Sequence, residues 1–343
     1  MAKPTRRDFL KMSAAAVGSA ALARLLAACG QAVPPASAPS AAPISPTSPP
    51  PGATAREQPT PTVAPSTPTP WNGPDIAVAR NGSPEQMVRR AIAALGGMGM
   101  FVSKGANVVV KPNICIAYSL PEFAATTNPW VVGTLVKMCF EAGAASVKVM
   151  DYPFNGTQDA AYSFSGIKEQ VEAAGGQMAP MPMFKFVETA IPGGLRLKRV
   201  NLFEDIRKAD VVINVPIGKV HSLSRLTLGM KNLLGVVKDR SVLHGHLSQN
   251  LADLASLVKP RLTVIDAVRI MVSNGPTGGS LDDVKTLNTV VASPDIVAAD
   301  SYGATLFGLR PDDLGYVTAA TAMRLGRSDL QNMKIEQIDV GTA

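Results

Sequence analysis

Between residues 210 and 246 the chain reads DVVINVPIGKVHSLSRLTLGMKNLLGVVKDRSVLHGH, and this stretch holds all three of its histidines. Lys219 and His221 follow an apolar run, Val211-Val212-Ile213, that is long enough for a buried strand and is closed by Pro216. Lys231 and Asn232 sit among glycines and apolar residues, and a single glycine separates His244 from His246. An ammonium group binds or polarises a carboxylate or phosphate, and an imidazole titrating near neutrality moves a proton. Lys219, His221 and Lys231 are therefore the candidate catalytic residues. Lys231 stands apart, because a lysine in a segment apolar enough to be buried is costly unless it is paired or used.

If the 244–246 segment is extended, both of its imidazoles lie on one side. With His221 they would supply three ligands for a divalent metal such as Zn²⁺ or Ni²⁺. A second reading stays open: no H-E-x-x-H spacing is present, and the same rings serve equally well as phosphate ligands or local backbone caps. Beyond Cys29 the chain has only Cys115 and Cys139, with no Cys-x-x-Cys spacing. No iron–sulfur cluster or zinc ribbon is expected on this chain, and two buried free thiols are.

Other polar groups recur after apolar runs. Lys111 and Asn113 follow Val108-Val109-Val110, and Asp151 closes the run that begins at Ser146. Singly, each reads as easily as a solvated strand end or a turn cap. The loop Asn274-Gly275-Pro276-Thr277-Gly278-Gly279 offers backbone open to close ligand approach, although a plain turn also explains it. It is not a P-loop, and no G-x-G-x-x-G opens a helix after the first strand. Asp300 lies in an apolar helical stretch and needs a partner, expected among Lys111, Lys219 and Lys231.

These groups require elements to hold them. Strands are expected at 76–79, 108–110, 146–150, 211–213, 262–268 and 286–292. Ser83-Pro84-Glu85 reads as the N-cap and first positions of a helix to about residue 95, and Asn128-Pro129 opens another to 141. Further helices are expected at 166–174, 203–208, 247–258, from Ser293-Pro294-Asp295 to about 307, and at 314–324, with a hairpin within 176–200. The alternation predicts an α/β fold: a layered, largely parallel sheet with helices on both faces, in a single domain over 71–343. Polar groups after successive strands gather at the carboxyl edge, where open α/β sheets bind ligands. The 216–221 segment is expected to be one of the loops there.

The N-terminal residues read as an address. Thr5-Arg6-Arg7-Asp8-Phe9-Leu10-Lys11 is a twin-arginine pattern, followed by an alanine-rich run interrupted by Arg24 and too short for an anchor. Leu26-Ala27-Ala28-Cys29 resembles a lipobox, with Cys29 the acylated residue, though an ordinary signal with an incidental cysteine fits as well. Residues 1–29 are thus the signal, and the mature chain is expected on the extracytoplasmic or periplasmic face, held to the membrane through Cys29. Residues 30–70 contain 13 of the 28 prolines and only Arg56 and Glu57 as charges, the composition of a disordered tether. The formal charge of +7 falls to about +3 once the signal is removed, and no basic run interleaved with aromatics follows, so nucleic acid is not an expected partner.

The set VVVKPN, ATTNPW, DVVINVPIGKVH, TLGMKNLLG, HGH, LTVIDAV, NGPTGG and SPDIVAAD, spread in order over 108–309, resembles the family filed as domain of unknown function 362. The resemblance implies an α/β domain without an assigned activity, and a site drawn from Lys111, Asn113, Lys219, His221, Lys231, Asn232, Asp266, Gly275, Pro276 and Asp300. It also implies a redox setting, since members often accompany ferredoxin-like modules; an iron–sulfur partner protein is expected, the cluster cysteines being absent here. The combined expectation is an enzyme acting on a small anionic ligand. The alternative is a non-catalytic protein that holds a metal or cofactor for an envelope redox system.

Overall fold

Strands whose successive residues are all apolar must be covered on both sides, and this decides the architecture. The computed structural model describes residues 72–341, so the expected signal, Cys29 and the tether lie outside the described residues. The strands are β1 (Ile76–Arg80), β2 (Asn107–Pro112), β3 (Ser146–Val149), β4 (Gln177–Met178), β5 (Phe186–Ala190), β6 (Arg199–Phe203), β7 (Val211–Val215), β8 (Ile217–His221), β9 (Arg225–Thr227), β10 (Leu262–Met271), β11 (Val284–Ser293) and β12 (Ile335–Asp339). The helices are α1 (Pro84–Ala94), α2 (Pro129–Glu141), α3 (Gln158–Phe164), α4 (Ile167–Ala173), α5 (Glu204–Lys208), α6 (Gly229–Asn232), α7 (Ser241–His244), α8 (Leu247–Val258), α9 (Ile296–Thr305) and α10 (Gly315–Ala322).

The main sheet runs β12-β1-β11-β10-β7-β2-β3-β4, with β8 pairing β10 and β9. From β10 through β7, β2 and β3 to β4 every pairing is parallel, while β11 is antiparallel to both β1 and β10. Alternation along the strands builds two cores. Val109, Val212, Ile265 and Val291 face one core with Leu251 and Leu254 of α8, Val297 of α9 and Val317 of α10. Val108, Val110, Ile213 and Val264 face the other with Val88 of α1, Leu135 of α2 and Val171 of α4. The fold is therefore the expected α/β domain with helices on both faces and a mostly parallel sheet.

Local signals fix the helix starts. Ser83 caps α1 and forms a capping box with Gln86, while Asn128 caps α2 by accepting from Trp130 N. The hairpin is β5–β6, a separate two-stranded sheet, whereas β4 extends the main one. Two expectations fail. Residues 217–221 are not loop: beyond Pro216 the chain resumes as β8, hydrogen-bonded between β10 and β9. Nor is the 244–246 segment extended, since α7 ends at His244 and Gly245 keeps right-handed helical angles. The strand β12 and the helix α3 escape the sequence pattern altogether. Among the described residues no helix is long and apolar enough to cross a membrane.

Candidate functional site

Lys111 is the fifth residue of β2, in register with Asn214 of β7, and its side chain is 1% exposed. Its ammonium donates to Pro112 O at 2.8 Å and to Asn232 Oδ1 at 3.0 Å, and pairs with Asp151 Oδ1 at 2.7 Å. Asp151, two residues past β3, also accepts from Ile114 N and Tyr152 N. All three ammonium hydrogens are committed. Burial nevertheless pulls the Lys111 pKa down to about 8, with Asp151 opposing the shift. Gly235 makes this pair possible, because a Cβ there would collide with the Asp151 carboxylate and stand 2.5 Å from Lys111 Nζ.

Lys219, on β8, is equally buried and equally committed. Its Nζ lies 2.6 Å from Ala125 O, 2.9 Å from Pro276 O, 3.1 Å from Asn113 Oδ1 and 3.2 Å from Cys115 Sγ. One side chain thus ties the loop after β2, the segment before α2 and the Gly275-Pro276 turn to β8. Asn113 donates onward to Asn232 Oδ1, and Asn232 donates to Lys111 O and Asn214 Oδ1. Asp151, Lys111, Asn232, Asn113 and Lys219 form one continuous, satisfied polar network, the arrangement that rigidifies a buried site.

The helix α6 presents Lys231. Asp300, in α9, accepts from Gly229 N at 2.6 Å and from Met230 N at 2.9 Å, holding the first turn of α6. Its partners are backbone amides and none of the three lysines, which corrects the expected ion pair. Burial raises its pKa to about 7 despite those bonds. Asp266 behaves likewise: it accepts from Asn128 N and Val268 N, and burial raises it to about 6. It fastens the start of α2 and does not reach the cavity. Lys231 is 9% exposed, and its ammonium makes no hydrogen bond or ion pair with any described residue. Burial, then the neighbouring charges of Lys219 and Arg240, lower its pKa to about 8.

These elements enclose a cavity of about 460 Å³ at the carboxyl edge of β2, β3 and β8. Lys111, Lys219, Lys231 and Arg240 line it against a single carboxylate, Asp151, already held by Lys111. Its wall also carries His221, His244, Asn113, Asn232 and Cys115, and its mouth is edged by Phe154 and Leu223, 54% and 64% exposed. Arg240 donates to Tyr152 O and lies over the Tyr152 ring, 5.5 Å from its centroid. The environment favours negative charge in the ligand.

His221 departs from expectation. Burial and the nearby Lys231 and Lys219 charges drive its pKa to about 3, so the ring is neutral at pH 7 and not poised near neutrality. Its Nδ1 accepts from Leu223 N, which leaves the proton on Nε2. His244 is also pushed down, by burial and then by Lys231 and Arg240. His246 is absent from the cavity wall and contacts the Arg196 guanidinium. The three histidines therefore do not converge, because the helical turn at 241–245 sends the last two rings apart. Among the described residues no group of three or more histidine, cysteine or acidic side chains is placed to hold a metal ion.

Of the remaining expected residues, Pro276 lines the cavity through the carbonyl that accepts from Lys219. Gly275 supports the wall, since a Cβ there would overlap Val220 O of β8. Thr277 stays outside it. Arg240, Tyr152, Cys115 and Asn214 went unread as site residues. Asp151, which closes an apolar run in the sequence, does line the cavity. Cys115 and Cys139 are both buried and free, as expected.

Comparison with known proteins extends this picture. The twin-arginine translocation pathway signal sequence matches residues 3–23, so the chain carries an export signal of that route. A thylakoid-associated protein of Synechocystis sp. is 29% identical over 254 residues, covering 70% of this chain and 74% of that protein. The lactate racemase apoprotein of Thermoanaerobacterium thermosaccharolyticum aligns with a TM-score of 0.44 at 13% identity. That alignment covers 68% of this chain and 57% of the other, a likeness too low to bear on activity. Residues 108–305, more than half the chain, with every cavity-lining residue and all but two of the ten strands of the main sheet, match the domain of unknown function DUF362, and the chain belongs to that family.

Proposed function

We propose that this protein is an exported enzyme acting on a small substrate that bears a carboxylate or phosphate group, bound in the cationic cavity. The observation that carries the reading is Lys231: a lysine 9% exposed, without a partner, in a cavity whose single carboxylate is already paired. A largely desolvated ammonium that faces only the cavity and has no partner among the described residues is an energetic cost that a bound anion reduces. Lys111 and Lys219 add positive potential while serving as fixed struts. Neutral His221 can donate from Nε2 to a substrate oxygen, an electrophilic role in place of the proton shuttle first expected of it.

In a thermal-shift titration at pH 7, inorganic phosphate and oxalate are expected to raise the melting temperature of the wild type and to raise that of Lys231→Met by markedly less, the other cations of the cavity remaining in place. Equal shifts in both proteins would remove Lys231 from the binding account. The proposal includes attachment to the membrane through acylated Cys29; the Synechocystis relative is named a thylakoid-associated protein. Cys29→Ser should move the exported chain from the membrane to the soluble fraction, and unchanged fractionation would count against the lipid.

A further inference from the structure

Three lysines line the cavity, and they are not equivalent. Lys111 has three acceptors within 3.0 Å and Lys219 has four within 3.2 Å, so neither nitrogen is free to form a bond without dismantling the wall it supports. Among the described residues the Lys231 ammonium has no acceptor, yet it faces the same space. Its carrier, α6, is held at its first turn by two hydrogen bonds to Asp300, and its neighbour Asn232 is locked into the polar network. The amine is thus presented from a fixed backbone, with no carboxylate beside it to keep it protonated.

We infer that Lys231 is a nucleophile that forms an imine with the carbonyl carbon of an oxo acid, whose anionic group is held by the other cations of the cavity. The inference rests on the anion-binding reading above and narrows its substrate class. In the step itself the neutral Lys231 Nζ attacks the carbonyl carbon. The C–N bond forms as the C=O π bond breaks, and the oxygen takes up the proton that the nitrogen loses, giving a carbinolamine. Protonation of that hydroxyl, for which solvent is the proton source, lets water leave as the C=N bond closes. No oxidant or reductant is consumed. His221, with its proton on Nε2, is the group on the wall suited to hydrogen-bond the carbonyl oxygen as charge develops there. Cation-rich, desolvated surroundings are the established means of keeping a lysine amine reactive near neutral pH. The lowered Lys231 pKa of about 8 gives it roughly a two-hundredfold larger neutral fraction near pH 7 than an ordinary lysine.

Glyoxylate with sodium cyanoborohydride traps such an imine as N-carboxymethyl-lysine, read by mass spectrometry of the whole exported chain and of its peptides. Lys231 should be modified about tenfold faster than exposed Lys285, with a rate that rises with pH and levels off above about 8. Phosphate should slow modification at Lys231 without protecting Lys285, and acetaldehyde, which lacks the anionic group, should prefer Lys231 by much less than glyoxylate does. Lys231→Met should lose the fast phase, and Lys231→Arg should lose it while still binding phosphate. Modification of Lys231 no faster than Lys285, in a protein whose melting temperature phosphate does raise, would overturn the imine and leave the anion site standing. Absence of both effects would overturn the two together.

Discussion

Lys111 and Lys231 lie in one cavity with the same depressed pKa of about 8, yet removing them should have opposite consequences. Lys111→Met leaves Asp151 buried without its partner and should cost about 3–5 kcal/mol of stability. Lys231→Met removes a buried charge that nothing balances and should stabilise the fold by about 1–3 kcal/mol. Urea unfolding of the two variants checks both signs. The pH dependence follows from linkage. Each lysine has a folded pKa below its unfolded one, so between about 8 and the ordinary lysine value near 10.4 the unfolded chain binds more protons and stability rises with pH. The benefit is lost as pH falls through the folded pKa, and in Lys231→Met the slope over that window should be shallower. At this scale the sequence was legible where context was extreme. Lys231 was conspicuous among apolar neighbours, whereas Asp151 and Arg240 sit at a strand end and in a loop, where a charge is equally well explained by solvent. Of the two readings of the histidines, the metal triad fails, because one glycine between two histidines says nothing of whether the backbone there is extended or helical, while the local backbone cap holds for His221.

The elements explain why acids that look catalytic are structural. Asp300 and Asp266 are both fully buried: Asp300 accepts from two main-chain amides at the start of α6, and Asp266 from Asn128 N at the start of α2 and Val268 N in its own strand. Asp300→Ala should uncap α6 and destabilise the protein by about 2–4 kcal/mol, since two buried N–H groups lose charge-assisted bonds. It should also weaken phosphate binding, because Lys231 is carried on that helix. A loss of stability with phosphate affinity unchanged would show that α6 is positioned by its packing alone. Strand positions, Ser83 and Asn128 caps, and the carboxyl-edge location were all readable from apolar runs and capping residues. The strand β8 was not, because Pro216 reads as a terminator. Here it only interrupts pairing, and Ile217 resumes it against Asp266 in β10. Short elements such as α6 and α7, of four residues each, carry too little periodicity to be seen in sequence.

For the whole molecule, alternation of strand and helix was enough to give a two-faced α/β domain, and the family match covers the part of the chain that builds the cavity. Export by the twin-arginine route, which carries folded proteins, suits a site assembled from segments as far apart as Lys111 and Asp300. The chain's overall positive charge says little about the site. The local excess of four cations over one carboxylate in a partly enclosed cavity does, because low dielectric walls strengthen each interaction. The account stands or falls on the state of one amine. Nitrogen-15 NMR of the lysine Nζ resonances, with Lys231 assigned through Lys231→Met, measures it directly as a pH titration with and without inorganic phosphate. A Lys231 pKa near 8 that climbs when phosphate is added is the expected result, since an anion stabilises the protonated amine. A Lys231 that titrates like a surface lysine and ignores phosphate would contradict it.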